Sequence, residues 1–460
     1  MRLEELVGRT VAVWGLGREG LALTRLLLRR GVRPVLIDDH PDDASARASA
    51  VVGTDVAVVD PTSVAWADID AVVRAPGVSR YRPELVEARR SGTLVTTAMA
   101  LWLGDFAEAR VVAVTGTKGK STTAALTAAI LRHQGMDVEL LGNIGVPVTD
   151  AYDRPLVDAY VVEVSSYQAA EVTVSPGVCV LTSLAADHLD WHGSEETYYR
   201  DKLRLVEAGP PGALAVNAAG DEAVRRTAHH RARTLYGPSG RVRLAPSGMI
   251  EADGEPLVES DRLRVPGRHN VWNLCGAVAG ALLLGGGSVA ADAVGRAVDE
   301  FEGLPSRCRT VGRRGGLTFV DDALASNPFA TMASIEAFPD AELTVILGGA
   351  DRGVDVRPLV EALARRRPPP NVVVLAPDGQ RLLDALAGLP AADRTEGMIV
   401  RLAGDVGEAV QVAVDSTAGG GVVLFSPAAP TPEGEGGFAE RSRQFAAASG
   451  AAERSVAGPA

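Results

Sequence analysis

The sequence predicts an α/β protein of three domains, each built on a parallel sheet. Three observations lead there. The chain has 460 residues, too many for a single core. Short β-branched runs alternate with Ala- and Leu-rich helical stretches along most of it, the pattern of parallel sheets. Those runs end repeatedly in Gly- or Asp-rich loops, the side of an open sheet on which ligands bind.

In the first block "TVAVWGLG" reads as a strand entering a tight turn, "EGLALTRLLLRRG" as a helix and "PVLIDD" as the next strand. "AVVRAPG" closes a later strand, and "LWLGDFAEAR" ends the block. The second opens on the strand "VVAVTG" and the helix "STTAALTAAILRHQG", then continues through "DAYVVEVSS", "VCVLTSLA" and "GALAVNAAG". Residues 237–265 read as short polar strands and turns on the same domain, before "GRHNVWNLCGAVAGALLL" starts a helix. The third block holds "LTFVDDA", "LTVILGGADRG", "NVVVLAPDG" and "GVVLFSPAAP". The expected domains are a Rossmann-like 1–108, a central sheet of P-loop ATPase type over 109–304, and a Rossmann-like 305–450. A disordered tail is expected over 451–460. No repeat of 20–50 residues is evident.

Composition narrows the function. A formal net charge of −12 argues against nucleic acid and anionic membranes as partners. Nucleotides remain open to it, because a few backbone N–H groups and one lysine hold a phosphate locally. Cys179, Cys275 and Cys308 are far apart and odd in number, which fits a reducing compartment better than a disulfide framework or a zinc site. The opening "MRLEELVGRTVAVWG" lacks a signal-peptide pattern. Leu274–Ala291 is uncharged, yet Gly285–Gly287 would break a membrane-spanning helix, so a buried helix is expected there. A cytoplasmic protein without membrane insertion is expected, as a monomer.

The most specific motif is "VAVTGTKGKST", a Gly-rich turn between an apolar strand and a helix. Glycines let the backbone approach a phosphate, the helix N-terminus offers free N–H groups, Lys120 neutralises charge and Ser121 can ligate Mg²⁺. The full GxxxxGK[ST] pattern needs Gly at 114, where Val114 stands, so the match is to a shorter GTxGK[ST] form. A plain strand–helix turn would leave the Gly-Lys-Ser order unexplained.

"GLGREG", Gly15–Gly20, with Asp38 ending the next strand, is a dinucleotide fingerprint that alone suggests NAD. Beside a second phosphate loop it reads better as the seat of another phosphorylated ligand. Glu163 ends the buried strand of "VVEVSSYQ", where a carboxylate is costly unless it meets a cation. "DHLDWHGS" and "YRDKLRL" add His188 and Lys202. Either alone is more often structural. With Ser121 and Glu163 they suggest an oxygen-rich metal site suited to Mg²⁺ or Mn²⁺. "GRHNVWN" offers His269, Asn270 and Asn273 in the first turns of a helix, where capping by Asn270 is the simpler role. "GLPSRCR" offers Arg307 at the junction of the second and third blocks.

Taken together and in order, "GLGREG", "APGV", "VTGTKGKST", "LGNIGVP", "VEVSSYQ", "DHLDWHGS", "YRDKLRL", "GRHNVWN", "GLPSR", "LGGADRG" and "LFSPAAP" closely resemble the Mur ligase family of peptidoglycan synthesis, over nearly the whole chain. The short N-terminal domain with its glycine fingerprint points to the branch that adds glutamate to UDP-N-acetylmuramoyl-L-alanine. The resemblance implies ATP, two Mg²⁺ ions (Mn²⁺ as a substitute) and no nucleic-acid partner. It implies catalytic roles for Lys120, Glu163, His188 and Lys202, the last as a carbamate formed with CO₂. Gly116, Thr117, Lys118, Gly119, Lys120, Ser121, Thr122, Asn273, Arg307 and Asp322 would contact ATP. Gly15, Leu16, Gly17, Asp38, Gly77 in the Pro76-Gly77 loop, and Asn143 would hold the UDP-sugar. Ser121, Glu163, His188 and carboxylated Lys202 would surround the metals. Ser326, Arg352, Thr431 and Phe438 would receive glutamate.

The departures from the family pattern cluster at that last site. "DDALASN" replaces "DSKATN", so Leu324 stands for a lysine, Ala323 for serine and Ser326 for threonine. Ser306 stands where a histidine is usual, and "SPAAPTPEGEGGFAERS" is altered throughout. Loss of one cation with the activation motifs intact predicts a changed amino-acid geometry, that of the L-glutamate-adding variant. The same reaction with D-glutamate, using Arg352, is the alternative. An NAD-dependent oxidoreductase and a non-catalytic nucleotide-binding regulator are more remote.

Overall fold

Parallel strands buried on both faces need apolar residues at consecutive positions, and the computed structural model shows how they are used. It describes residues 1–53, 56–209, 212–350, 354–376, 379–389, 397–432 and 434–450. The expected tail 451–460 and Arg352 lie outside them. The chain forms two compact units, Met1–Arg262 with Val271–Glu300, and Leu263–Asn270 with the residues from Phe301 on.

The first unit contains two sheets. The N-terminal one is five-stranded and all parallel, in the order Val58–Val59, Val35–Ile37, Val11–Trp14, Ala71–Arg74, Leu94–Thr96. Side chains alternate across it: Val11, Val13, Leu36 and Val73 enter one core, while Ala12, Trp14, Ile37 and Val72 enter the other. The order reverses between Val11–Trp14 and Ala71–Arg74, so the Gly15–Gly20 and Ala75–Gly77 loops meet at the switch point where such sheets bind ligands.

The second sheet has nine strands. Its central strand, Val111–Thr115, lies between Ala159–Glu163 and Val178–Leu181, parallel to both. This too is a switch point, and it places the Gly116–Lys120 loop beside the ends of the strands that carry Glu163 and Thr182. The polar excursion expected near 237–265 extends the same sheet: Val242–Leu244 pairs in parallel with Arg233–Gly237, then Met249–Ala252 and Glu255–Glu259 add antiparallel. The apolar segment after Arg268 is a helix, Arg268–Leu284, followed by Gly286 and Gly287 at positive φ. Leu274, Val278 and Ala281 are fully buried. No helix among the described residues is long and apolar enough to cross a membrane.

The second unit holds a six-stranded sheet in the order Arg309–Arg314, Leu317–Asp321, Val422–Phe425, Leu343–Leu347, Asn371–Leu375, Ile399–Ala403. Its first pair is antiparallel and the rest parallel. The late strand Val422–Phe425 sits in the middle, which gathers the ends of three sequence-distant strands at one edge.

Candidate active site

The Gly-rich turn is shaped by contacts that leave no room for side chains. Gly116 has φ +146, and a Cβ there would lie 2.1 Å from the Thr182 hydroxyl. Gly119, φ +86, caps the helix Lys120–His133, and its Cβ would lie 2.2 Å from Asn273 Oδ1. The turn is pinned from outside: Thr117 N donates to Ser183 O at 3.0 Å and Lys118 N to Ser183 Oγ at 2.9 Å. Thr182 Oγ1 in turn donates to Lys118 O at 2.6 Å. Lys120 curls back, its Nζ donating to the Gly116 and Thr117 carbonyls at 3.0 and 3.1 Å. A helix N-terminus, a preset loop and a lysine over it form an anion seat. Gly119→Ala is therefore expected to lower stability by ~1–2 kcal/mol from the left-handed backbone alone. It should also weaken nucleotide binding at least ~10-fold, since one tenfold step needs only about 1.4 kcal/mol of displaced contact. Thermal denaturation and nucleotide titration measure the two effects.

Beside this seat lies a chain of polar groups. Ser121 Oγ donates to Glu163 Oε2 at 2.6 Å, and Asn143 Nδ2 donates to Glu163 Oε1 at 2.8 Å. Glu163 is fully buried at its strand end. Lys202, on the helix Glu195–Glu207, is also buried, and its Nζ donates to Gly116 O at 2.9 Å. Both lysines thus share one carbonyl. Burial first, and then the charge of Lys120, push the Lys202 amine well below the usual lysine range. A neutral amine is the form that reacts with CO₂. His188 caps a short helix at φ 52, half-exposed and packed on the Tyr167 ring. Burial outweighs the opposing Asp187 charge and, with the charges of Lys118 and Lys120, favours its neutral, ligating form. The donor set of hydroxyl, carboxylate and imidazole fits Mg²⁺ or Mn²⁺. A carbamate on Lys202 would add the second carboxylate-like ligand such a site wants.

The expected residues of the N-terminal loop also meet. Gly15 has φ +93 against Ala75, and Gly17 caps the helix Arg18–Arg29. Asp38 is turned onto its own loop: Leu16 N donates to Oδ2 at 2.7 Å and His40 N to Oδ1 at 3.0 Å. Both oxygens thus hold the turn in shape, and each keeps a lone pair for a further donor. The loop after Gly77 is tied to the central sheet's helices. Tyr81 donates to Asp201 Oδ2 at 2.7 Å, and Ser79 Oγ donates to Trp191 O at 3.0 Å. Asp201 also holds His192 Nδ1 at 2.8 Å, while His192 Nε2 lies 3.0 Å from Ser166 Oγ. This Ser-His-Asp row is sealed from solvent. It braces Lys202, one residue from Asp201, and the segment just after Glu163. Arg74, Arg80 and Arg89 converge on Glu171. None of these braces was among the expected site residues.

The second unit carries the remaining candidates. Arg307 adjoins Cys308, whose N–H donates to Asp322 Oδ1 at 3.1 Å. Asp322 also accepts from Ser334 at 2.6 Å and Ser426 at 2.7 Å. Burial pushes its carboxyl up to about 6 despite these donors. Where the strands Leu343–Leu347 and Val422–Phe425 end, a small concavity opens to solvent. Ser326 lines it with Ala350, Val356, Ala429, Pro430 and one cation, Arg381. Leu324 contributes only its backbone to this region's bonding, N–H to Ser306 O at 3.1 Å. Thr431 follows Pro430, and Phe438 begins the helix Phe438–Ser449 with 44% of its surface exposed. Arg381 was not foreseen, although it follows "APDG", a strand-end loop of the ligand-binding kind.

Comparison with known proteins agrees with this geometry. Three family models match consecutive parts of the chain: the MurD-like N-terminal domain of Mur ligases at residues 9–97, the Mur ligase middle domain at 114–281 and the Mur ligase glutamate ligase domain at 306–429. A UDP-N-acetylmuramoyl-L-alanine–L-glutamate ligase of a Micromonospora strain is 42% identical, over 97% of this chain and 98% of its own. One of the same name from Salinispora tropica is 41% identical, over 97% and 99%. Among solved structures, the UDP-N-acetylmuramate-alanine ligase of Thermotoga maritima shares the fold with a TM-score of 0.59 and 21% identity, over 95% of this chain and 98% of its own.

Proposed function

The chain belongs to the Mur ligase family of ATP-dependent amide ligases, and on that premise we propose that it joins L-glutamate to UDP-N-acetylmuramoyl-L-alanine. The observation that carries the chemistry is the row Asn143–Glu163–Ser121 beside the Lys120 loop, with buried Lys202 on the same carbonyl. The names of the Micromonospora and Salinispora relatives support the amino acid and its hand. So does the loss of a cation at Leu324.

A carboxylate is a poor electrophile and must be activated. In the proposed reaction an oxygen of the alanine carboxylate attacks the ATP γ-phosphorus, the bond to the β-phosphate oxygen breaks and ADP leaves. The glutamate amine, its ammonium proton released to solvent, attacks the acyl carbon of the mixed anhydride. The C–N bond forms, the C–O bond to phosphate breaks and inorganic phosphate departs. Lys120 and the loop N–H groups hold the transferred phosphoryl group. Ser121, Glu163, His188 and carboxylated Lys202 would hold Mg²⁺, which when bound offsets the charge of two anions brought together. We assign 1–108 to the UDP moiety, 109–304 to ATP and 305–450 to the amino acid, and place the reaction in the cytoplasm.

Glutamate has two carboxylates and needs cations. Arg381 supplies one in the pocket lined by Ser326. Arg381→Ala is expected to raise KM for glutamate by ~10–100-fold, the ~1.5–3 kcal/mol of a charged hydrogen bond, and to leave KM for ATP unchanged. Steady-state kinetics with each substrate varied checks this.

The reading itself is tested by ADP release with UDP-N-acetylmuramoyl-L-alanine and each glutamate enantiomer. Turnover with L-glutamate well above D-glutamate is expected. A preference for D-glutamate assigns the chain to the other hand of the same reaction, and activity with neither ends the proposal.

A further inference from the structure

The parallel strands of the central sheet end at the Gly116–Lys120 loop, and at their opposite, N-terminal edge a second cluster of ligating side chains gathers. Glu207 closes the helix Glu195–Glu207, ahead of the strand Ala213–Asn217. His229 and His230 lie between the helix Asp221–Arg226 and the strand Arg233–Gly237. One donor atom from each of Glu207, His229 and His230 lies within 4.8 Å of the other two. His229 Nε2 and Glu207 Oε1 are 3.8 Å apart, and the two imidazole rings sit 4.3 Å apart, tilted by 36°.

Two features set this group apart from a solvated charge cluster. Nε2 of His230 is screened from solvent and has no hydrogen-bond partner among the described residues, an arrangement that native proteins seldom leave unexplained. His230 also borders a small pocket with Ser175 and Cys179, and the Ser175 hydroxyl is likewise screened and unpartnered there. The Arg233 guanidinium donates to Val224 O at 2.6 Å.

We propose that Glu207, His229 and His230 form a second metal site, for a divalent ion of the Zn²⁺ or Ni²⁺ class, separate from the reaction centre. Two imidazoles and one carboxylate are a donor set these ions favour, whereas Mg²⁺ prefers oxygen and water. Metal–ligand bonds of ~2.0–2.2 Å require donors roughly 3.3–3.5 Å apart. Glu207 and His229 are exposed, so rotation of their side chains closes the gap. The bound ion would clamp the end of the helix that bears Lys202 to the turn before Arg233–Gly237, and so stabilise the fold without entering the reaction.

Calorimetric titration of the full chain with Zn²⁺, in excess Mg²⁺ to occupy the reaction centre, tests this. Thermal melting is followed in parallel. One Zn²⁺ per chain is expected, with a rise in Tm. His229→Gln and Glu207→Gln, both surface changes, should each weaken binding at least ~10-fold and abolish the Tm rise. His188→Gln should leave Zn²⁺ binding at this site intact. Absence of Zn²⁺ binding to the wild type overturns the proposal. So does equal affinity in His229→Gln and Glu207→Gln, or binding lost only in His188→Gln, which would assign the ion to the reaction centre.

Discussion

Lys120→Ala will slow amide formation at least ~10³-fold, about 4 kcal/mol of transition-state stabilisation, while the protein stays folded. In the proposed reaction this lysine meets the developing phosphoryl charge, and in the structure its Nζ lies over the carbonyls of Gly116 and Thr117. Those carbonyls concentrate negative potential that a transferred phosphoryl group must not meet alone. Removing the cation leaves the loop's N–H groups to act without it. Stability should change little, because Lys120 is only part-buried. The rate of ADP release and a thermal melt separate the two effects. Unchanged turnover would exclude Lys120 from the chemistry.

Lys202→Met will remove a comparable share of activity and will not destabilise the fold. Burial and the neighbouring Lys120 charge disfavour an ammonium there, so an apolar chain of similar length loses little when it replaces it. On the proposed mechanism, what is lost is the nitrogen that CO₂ would convert to a carbamate, and with it one negative metal ligand. The proposed carbamate has its own signature. ¹³C-enriched bicarbonate should give a carbamate resonance in the wild type that is missing in Lys202→Met. A resonance present in both would place the modification elsewhere.

Much of this site could be read before folding because its parts are contiguous. Gly116 to Ser121 lie in one run, and the meaning of Gly-Lys-Ser at a helix start is local. The sheets were equally legible, since an unbroken apolar run such as Val11–Trp14 is the mark of a strand buried on both faces. The bracing groups were not. Arg74, Arg80 and Arg89 reach Glu171 across more than 80 residues of chain, and nothing near any of them in sequence names the partner. His192 was passed over for the same reason: its meaning depends on Asp201 and Ser166, which only the fold brings to it. Asp38, legible as a ligand contact at its strand end, also shapes the loop beside it, a role that only the fold reveals. Arg381 depends on topology, because the pocket exists only after Val422–Phe425 inserts beside Leu343–Leu347.

Activation of the alanine carboxylate by phosphoryl transfer is the step on which every role above depends, and an oxygen label follows it directly. UDP-N-acetylmuramoyl-L-alanine carrying ¹⁸O in both oxygens of its alanine carboxylate is turned over with ATP and L-glutamate, and the released phosphate is weighed by mass spectrometry. The proposed mechanism requires one ¹⁸O atom in each phosphate. Phosphate without label, formed alongside the amide product, would contradict it.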